Sequence, residues 1–183
     1  MLAPGDILLE EIVTHELGHA VCATALGLTV IEVQMPMPYS GDDGRMYGRK
    51  GTTKIENIWL NDESKELNPE IVDEIACVAV AGVVAERLSQ NQPTTSLEVL
   101  RQLQVGRNQD DYRFLRKAIC LDEVVSLTAA TPHIERAVSL LITQTKAIHR
   151  AGPPLIAKIS AADDALDISW SEIATLLGEQ PEQ

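Results

Sequence analysis

The run from Ile75 to Ala85, IACVAVAGVVA, offers no polar face to water on any side. A helix that is apolar all round has to lie in the middle of a protein, wrapped by other elements. The run is too short to cross a bilayer, which takes roughly 20 apolar residues. Upstream, Asn68-Pro69-Glu70 reads as a helix start: a capping side chain, a proline in the first turn, then an acid at the positive end of the helix dipole. The sequence therefore predicts a central buried helix that ends near Leu88. Aromatic residues are only 3% of the 183-residue chain, while 45% is hydrophobic. The core around that helix must be built from Leu, Ile, Val and Ala, a composition that favours helices. The length suits one domain, residues 1–183.

The other segments follow from periodicity and breakers. Ile7–Leu26 reads as a helix between a cap at Asp6 and a stop at Gly27. Thr29–Met35 is β-branched and reads as a strand. PMPYSGDDG then interrupts all regular structure, and Arg45–Lys50 is expected to return as the second strand of a hairpin. A polar linker is expected over Gly51–Leu67. Further helices are predicted over Leu97–Leu103 and Asp110–Leu121, from Thr131-Pro132 to Gly152-Pro153, and over Leu155–Ala162. A last helix starts at a capping box, Ser169 with Glu172, and stops at Gly178. The expected fold is mainly α, with a small hairpin after the first helix.

Residues 15 to 19 read HELGH. Four residues apart on a helix, His15 and His19 lie one above the other on one face. Two neutral imidazoles so placed can hold one zinc ion without cancelling its charge, and Glu16 stands beside the metal as a base for water. Zinc lowers the pKa of a water, and a nearby carboxylate accepts the proton. A catalytic zinc usually has three protein ligands. The remaining histidines, His133 and His149, each stand alone on a C-terminal helix and read as surface or cap residues. Glu86, Asp110 and Asp111 are the acidic candidates for the third ligand.

These stretches resemble the FtsH-type AAA+ zinc proteases and their relatives without an ATPase. HELGHAV is similar to that family's HEAGHA-type motif. Val30–Met35 followed by GRMYGRK resembles its strand pair after the active-site helix, and VAVAGVVAE, ending at Glu86, resembles its buried GGRAAE helix. GRNQDDYRFLRKA resembles the GASNDLxxAT segment, whose aspartate is the third zinc ligand; Ile134 to Leu177 resembles the closing helices. The resemblance implies a single zincin-like peptidase domain that cleaves peptide bonds with zinc on His15, His19 and an aspartate, and Glu16 as general base. Counting from Gly106 favours Asp110 as that aspartate. Matching Tyr112, Leu115, Ala118 and Ile119 to the family's apolar offsets favours Asp111, which is the choice made. Glu86 is expected near the site, as a partner of a ligand or in an ordinary salt bridge. Leu17 departs from the family's alanine, and Gln104-Val105-Gly106 replaces its threonine-glycine lead-in.

Other features narrow the partners. With 27 acidic and 15 basic residues the net charge is −12, the wrong sign for gripping nucleic acid or anionic lipid. Cys22, Cys77 and Cys120 are far apart in apolar surroundings and read as buried thiols of a reducing compartment. Met1–Asp6 lacks a basic start, so a cytoplasmic protein without membrane spans is expected. No GxxxxGKS or GxxxxGKT occurs. A substrate would therefore be a peptide, a flexible segment, or an unfolded protein delivered by a separate ATPase. Val30–Met35 is expected to bind extended substrate by edge pairing. The alternative is a degenerate relative, kept as a zinc-binding regulatory or interaction module. Oligomeric state stays open.

Overall fold

The computed structural model describes residues 6–56, 58–59, 67–119 and 124–178. Its axis is helix α2, Val72–Ser89, in which every residue from Ile75 to Glu86 is buried. Asn68 caps the preceding 3-10 turn, Pro69–Ile71, by accepting from the Glu70 amide at 3.0 Å. Around α2 pack α1 (Leu9–Ala25), α3 (Ser96–Leu103), α4 (Gln109–Ala118), α5 (Leu127–Ile142) and α6 (Thr145–Ser160). The last helix, α7 (Trp170–Leu177), packs on α6. Among the described residues no helix is long and apolar enough to cross a membrane.

α1 lies unusually close to α2. A methyl group on Gly18 would sit 2.5 Å from Ala85 Cβ and 2.8 Å from the Ala81 carbonyl oxygen. Only glycine permits that approach, and it is what brings the HELGH face of α1 against the backbone of α2. The helix begins at Leu9 rather than at an Asp6 cap, because Ile7–Leu8 forms strand β1 and satisfies its backbone on another strand.

Two small antiparallel sheets replace the single expected hairpin. One has the order β1–β4–β3, with β3 at Tyr39–Ser40 and β4 at Met46–Gly48. The other has the order β6–β5–β2–β7, with β2 at Val30–Met35, β5 at Thr52–Ile55, β6 at Ile58–Trp59 and β7 at Leu166–Ser169. The segment 45–50 does not return onto β2. Pro36 and Pro38 cannot donate to a ladder and detach the chain after Met35. Instead, the turn of Gly41–Arg45 folds β4 back on β3. The partner of β2 comes from the supposed linker, with Val33 opposite Thr53. Since β7 occupies its other edge, β2 has none left for a substrate strand.

The C-terminal helices differ too. The predicted long helix from Thr131 is two helices, and Pro132, Pro153 and Pro154 lie inside them rather than at their ends. Ser126 caps α5 through the Ala129 amide. In α6 the buried stripe Ile148, Ala151, Leu155 and Ile159 runs straight through the prolines, and its burial outweighs the lost hydrogen bonds. Ser169 closes no capping box: Glu172 pairs with Lys158 at 2.6 Å instead. Cys22 and Cys77 are buried free thiols with sulfurs 3.7 Å apart, whereas Cys120 lies outside the described residues.

Candidate metal centre

His15 and His19 point from α1 toward α2, and Asp111 reaches them from the first turn of α4. All three are buried, and one ligand atom of each lies within 4.8 Å of the others. The two Nε2 atoms are 2.9 Å apart; His15 Nε2 is 2.9 Å from Asp111 Oδ2, and His19 Nε2 is 3.6 Å from Asp111 Oδ1. Donors around a tetrahedral ion with bonds of about 2.0–2.2 Å stand about 3.3 Å apart, so these separations suit one ion.

The hydrogen bonds behind the rings explain why three acceptors converge. His19 Nδ1 lies 2.7 Å from the carbonyl oxygen of Val78, which can only accept, so Nδ1 carries the proton and Nε2 is bare. His15 Nδ1 is 2.7 Å from Glu86 Oε1. Burial would raise the Glu86 carboxyl, but bonding to His15 and the charge of Arg107 outweigh it and hold the group below its usual range. Glu86 is therefore a carboxylate that accepts from His15 Nδ1, so Nε2 is the nitrogen that faces Asp111 and that a metal would take in place of a proton. Asp111 Oδ2 is a buried atom that finds no aligned hydrogen-bond donor. Orienting a ligand imidazole through its far nitrogen is a recurrent feature of metal sites.

The electrostatics point the same way. Burial drives His19 down to about 4, a neutral ring. His15 also feels burial, but the carboxylates of Asp111 and Glu86 overcome it and lift the ring well above the usual imidazole value. Asp111 is raised by burial and pulled below its ordinary value by the two histidines. The centre demands one positive charge, which a proton on His15 or a metal cation can supply.

Gly82 forms the wall on the α2 side. A Cβ there would lie 2.5 Å from His15 Nε2 and 2.6 Å from His19 Nε2. The signal was present in the sequence: a glycine inside an otherwise apolar helix costs about 1 kcal/mol and needs a reason. Glu16, 3% exposed, is held by Thr53, whose Oγ1 donates to Glu16 Oε2 at 2.8 Å. Burial pushes its carboxyl up to about 7. Gly51 leaves room for it, since a methyl group there would lie 2.7 Å from Glu16 Cγ. A cavity of about 20 Å³ opens beside His15 and Glu16, bounded by Lys50, Gly51 and Asn108. It is large enough for one water molecule. A hollow of about 800 Å³ between α1 and α6 touches Glu86 but none of the three converging residues.

Of the two adjacent aspartates, Asp111 meets the histidines. Asp110 turns outward, 2.5 Å from Lys50 Nζ and 3.2 Å from Arg113. His133 and His149 take no part, and His149 bonds Ser89 at the surface. Sequence reasoning did not single out Thr53, Lys50, Gly82 or Arg107, whose partners lie far away along the chain. What the geometry offers is a buried, preorganised site for a metal cation with a carboxylic acid beside it. No protein-family model matches the chain, and no curated protein matches it in sequence.

Proposed function

We propose that the chain is a zinc-dependent peptidase of the FtsH-like type, working without its own ATPase. The observation that carries this reading is the convergence of two imidazole Nε2 atoms and the Asp111 carboxylate in a buried site that needs one positive charge, next to Glu16. Buried acceptors facing one another are costly unless a cation satisfies them. Two nitrogens and one carboxylate form the ligand type of catalytic zinc sites, which keep a further position open.

Zinc bound there supplies a Lewis acid that makes a water more acidic and polarises a scissile carbonyl. Everything else falls to the chain. Glu16, whose carboxyl is raised toward neutrality by burial, takes the proton of the attacking water and returns it to the leaving amine. Thr53 pins Glu16 Oε2, so proton transfer falls to Oε1. Glu86 and the Val78 carbonyl keep both rings turned inward. The order of motifs along the chain supports the FtsH-like lineage.

Purified protein should contain about one zinc per chain by elemental analysis, from the one ligand set among the described residues. Glu16→Gln should keep the zinc and lose cleavage of an unfolded test protein. Undiminished cleavage by that variant refutes Glu16 as the base. One observation favours a second reading, a metal-binding module without proteolysis: the cavity beside Glu16, about 20 Å³, has room for about one water and no more. Metal-loaded protein that cuts nothing in a broad peptide library would select that reading.

A further inference from the structure

We propose that Arg107 is a positioning residue of the metal centre: by forking between Glu86 and Glu11 it seats Asp111 and fixes His15. The inference rests on the metal reading of His15, His19 and Asp111 and is independent of proteolysis.

Arg107 lies in the 3-10 turn Gly106–Asn108, directly before α4 and four residues ahead of Asp111. Its Nη2 donates to Glu86 Oε2 at 2.7 Å and its Nη1 to Glu11 Oε2 at 2.6 Å. Glu86 is on α2, and its other oxygen accepts from His15 Nδ1. Glu11 is on α1, one turn before His15 and on the same face. One guanidinium thus joins the segment carrying the third acceptor to the helix carrying the two histidines and to the group that orients one of them.

The chemistry requires this residue type. Glu86 is buried, and a buried carboxylate without a countercharge is costly. Gln102 also reaches Glu86 Oε2, at 3.0 Å, but brings no charge and leaves α1 untouched. A lysine offers a point charge and cannot present two parallel donors to two acids. Without the fork, the 106–108 turn loses its tie to both helices, and Glu86 loses the donor that holds its Oε2 while Oε1 accepts from His15.

The test is cobalt(II) titration of the full chain, read by the visible absorption band, with zinc affinity by chelator competition. Arg107→Met should weaken both metals by about 10- to 100-fold and change the cobalt band, with Arg107→Lys between it and the parent. Arg136→Met, which breaks a surface pair with Glu74 at 3.6 Å, should leave affinity and band unchanged, since loss of packing alone moves neither. Arg107→Met with the parent's affinity and band overturns the inference and spares the metal reading. A parent that binds neither metal overturns both. If Arg107→Met does not fold, Glu11→Ala removes one arm of the fork at a partly exposed position. Weaker metal binding by that variant supports the role, and parental binding refutes it.

Discussion

Replacing Gly82 with alanine sets a helix-favouring change against a metal-blocking one. In a helix interior, alanine is better than glycine by about 1 kcal/mol. The new methyl group, however, would stand 2.5 Å and 2.6 Å from the two Nε2 atoms. Non-bonded carbon contacts settle at about 3.5–4.0 Å, so each nitrogen has to retreat by about 1 Å. In the metal-free protein each ring can tilt about its Nδ1 hydrogen bond, so the Nε2 end moves while the bond to Glu86 or to the Val78 carbonyl is kept. With a metal that freedom is lost, because bonds of about 2.0–2.1 Å tolerate little displacement. Gly82→Ala is therefore expected to lose at least about 100-fold in zinc affinity, about 2.7 kcal/mol. Chelator-treated Gly82→Ala should melt within about 1 kcal/mol of chelator-treated parent. The assay is thermal unfolding with and without zinc, paired with chelator competition. The parent should gain stability from zinc by mass action, and Gly82→Ala should gain little at the same concentration. Gly18→Ala meets Ala85 and the α2 backbone rather than ring ends, and should be destabilised even without metal. A Gly82→Ala protein that keeps the parent's zinc affinity refutes the reasoning, as does one whose metal-free form collapses like Gly18→Ala.

Asp111→Asn should abolish tight metal binding, by at least about 100-fold, whereas Asp110→Asn should keep it within a few-fold, because Asp110 faces Lys50 and Arg113. Elemental analysis of the two variants reads this directly. A third expectation concerns the chelated protein. Its Glu16 carboxyl, raised by burial from 4.5 to about 7, binds its proton more tightly folded than unfolded, so stability should fall as pH rises from about 5 to 8. Glu16→Gln should remove the Glu16 share of that slope and stabilise the metal-free protein at pH 8 by up to about 3 kcal/mol, seen as a denaturation midpoint that shifts less with pH than the parent's.

Much of the helical frame could be read in advance because its signals are local. The Ile75–Ala85 run placed α2 at the centre, and Asn68-Pro69 marked where it begins. The preference for Asp111 over Asp110 comes from the resemblance, by matching the family's apolar offsets, and two of the residues so matched, Leu115 and Ala118, share the buried face of α4 with Asp111. The strands were harder. Thr52–Ile55 is β-branched, but its polar threonines hide a strand whose side chains are buried, one of them against Glu16. The pairing of β2 with β7 joins residues from opposite ends of the chain, which no local pattern encodes. In α6 the breaker signal of Gly152-Pro153 was real but was overruled by a buried stripe visible only once a core exists. Arg107 looked like one more charge in a polar turn, because its meaning depends on acids on two other helices.

The converging side chains come from distant parts of the chain. His15 belongs to the first helix and Asp111 to the fourth, and the sequence between them is more than half of the protein. A cation gripped by both works as a cross-link in a chain whose described cysteines are unbridged. Closing a loop on the order of 100 residues removes about 4–5 kcal/mol of entropy from the unfolded ensemble. Folding order follows from the same separation. α1 can form from its own neighbours, but the third acceptor arrives only when α4 docks on α2. Capture of a metal by all three side chains would wait for that docking, and a filled site would report that α1 and α4 have both packed on α2.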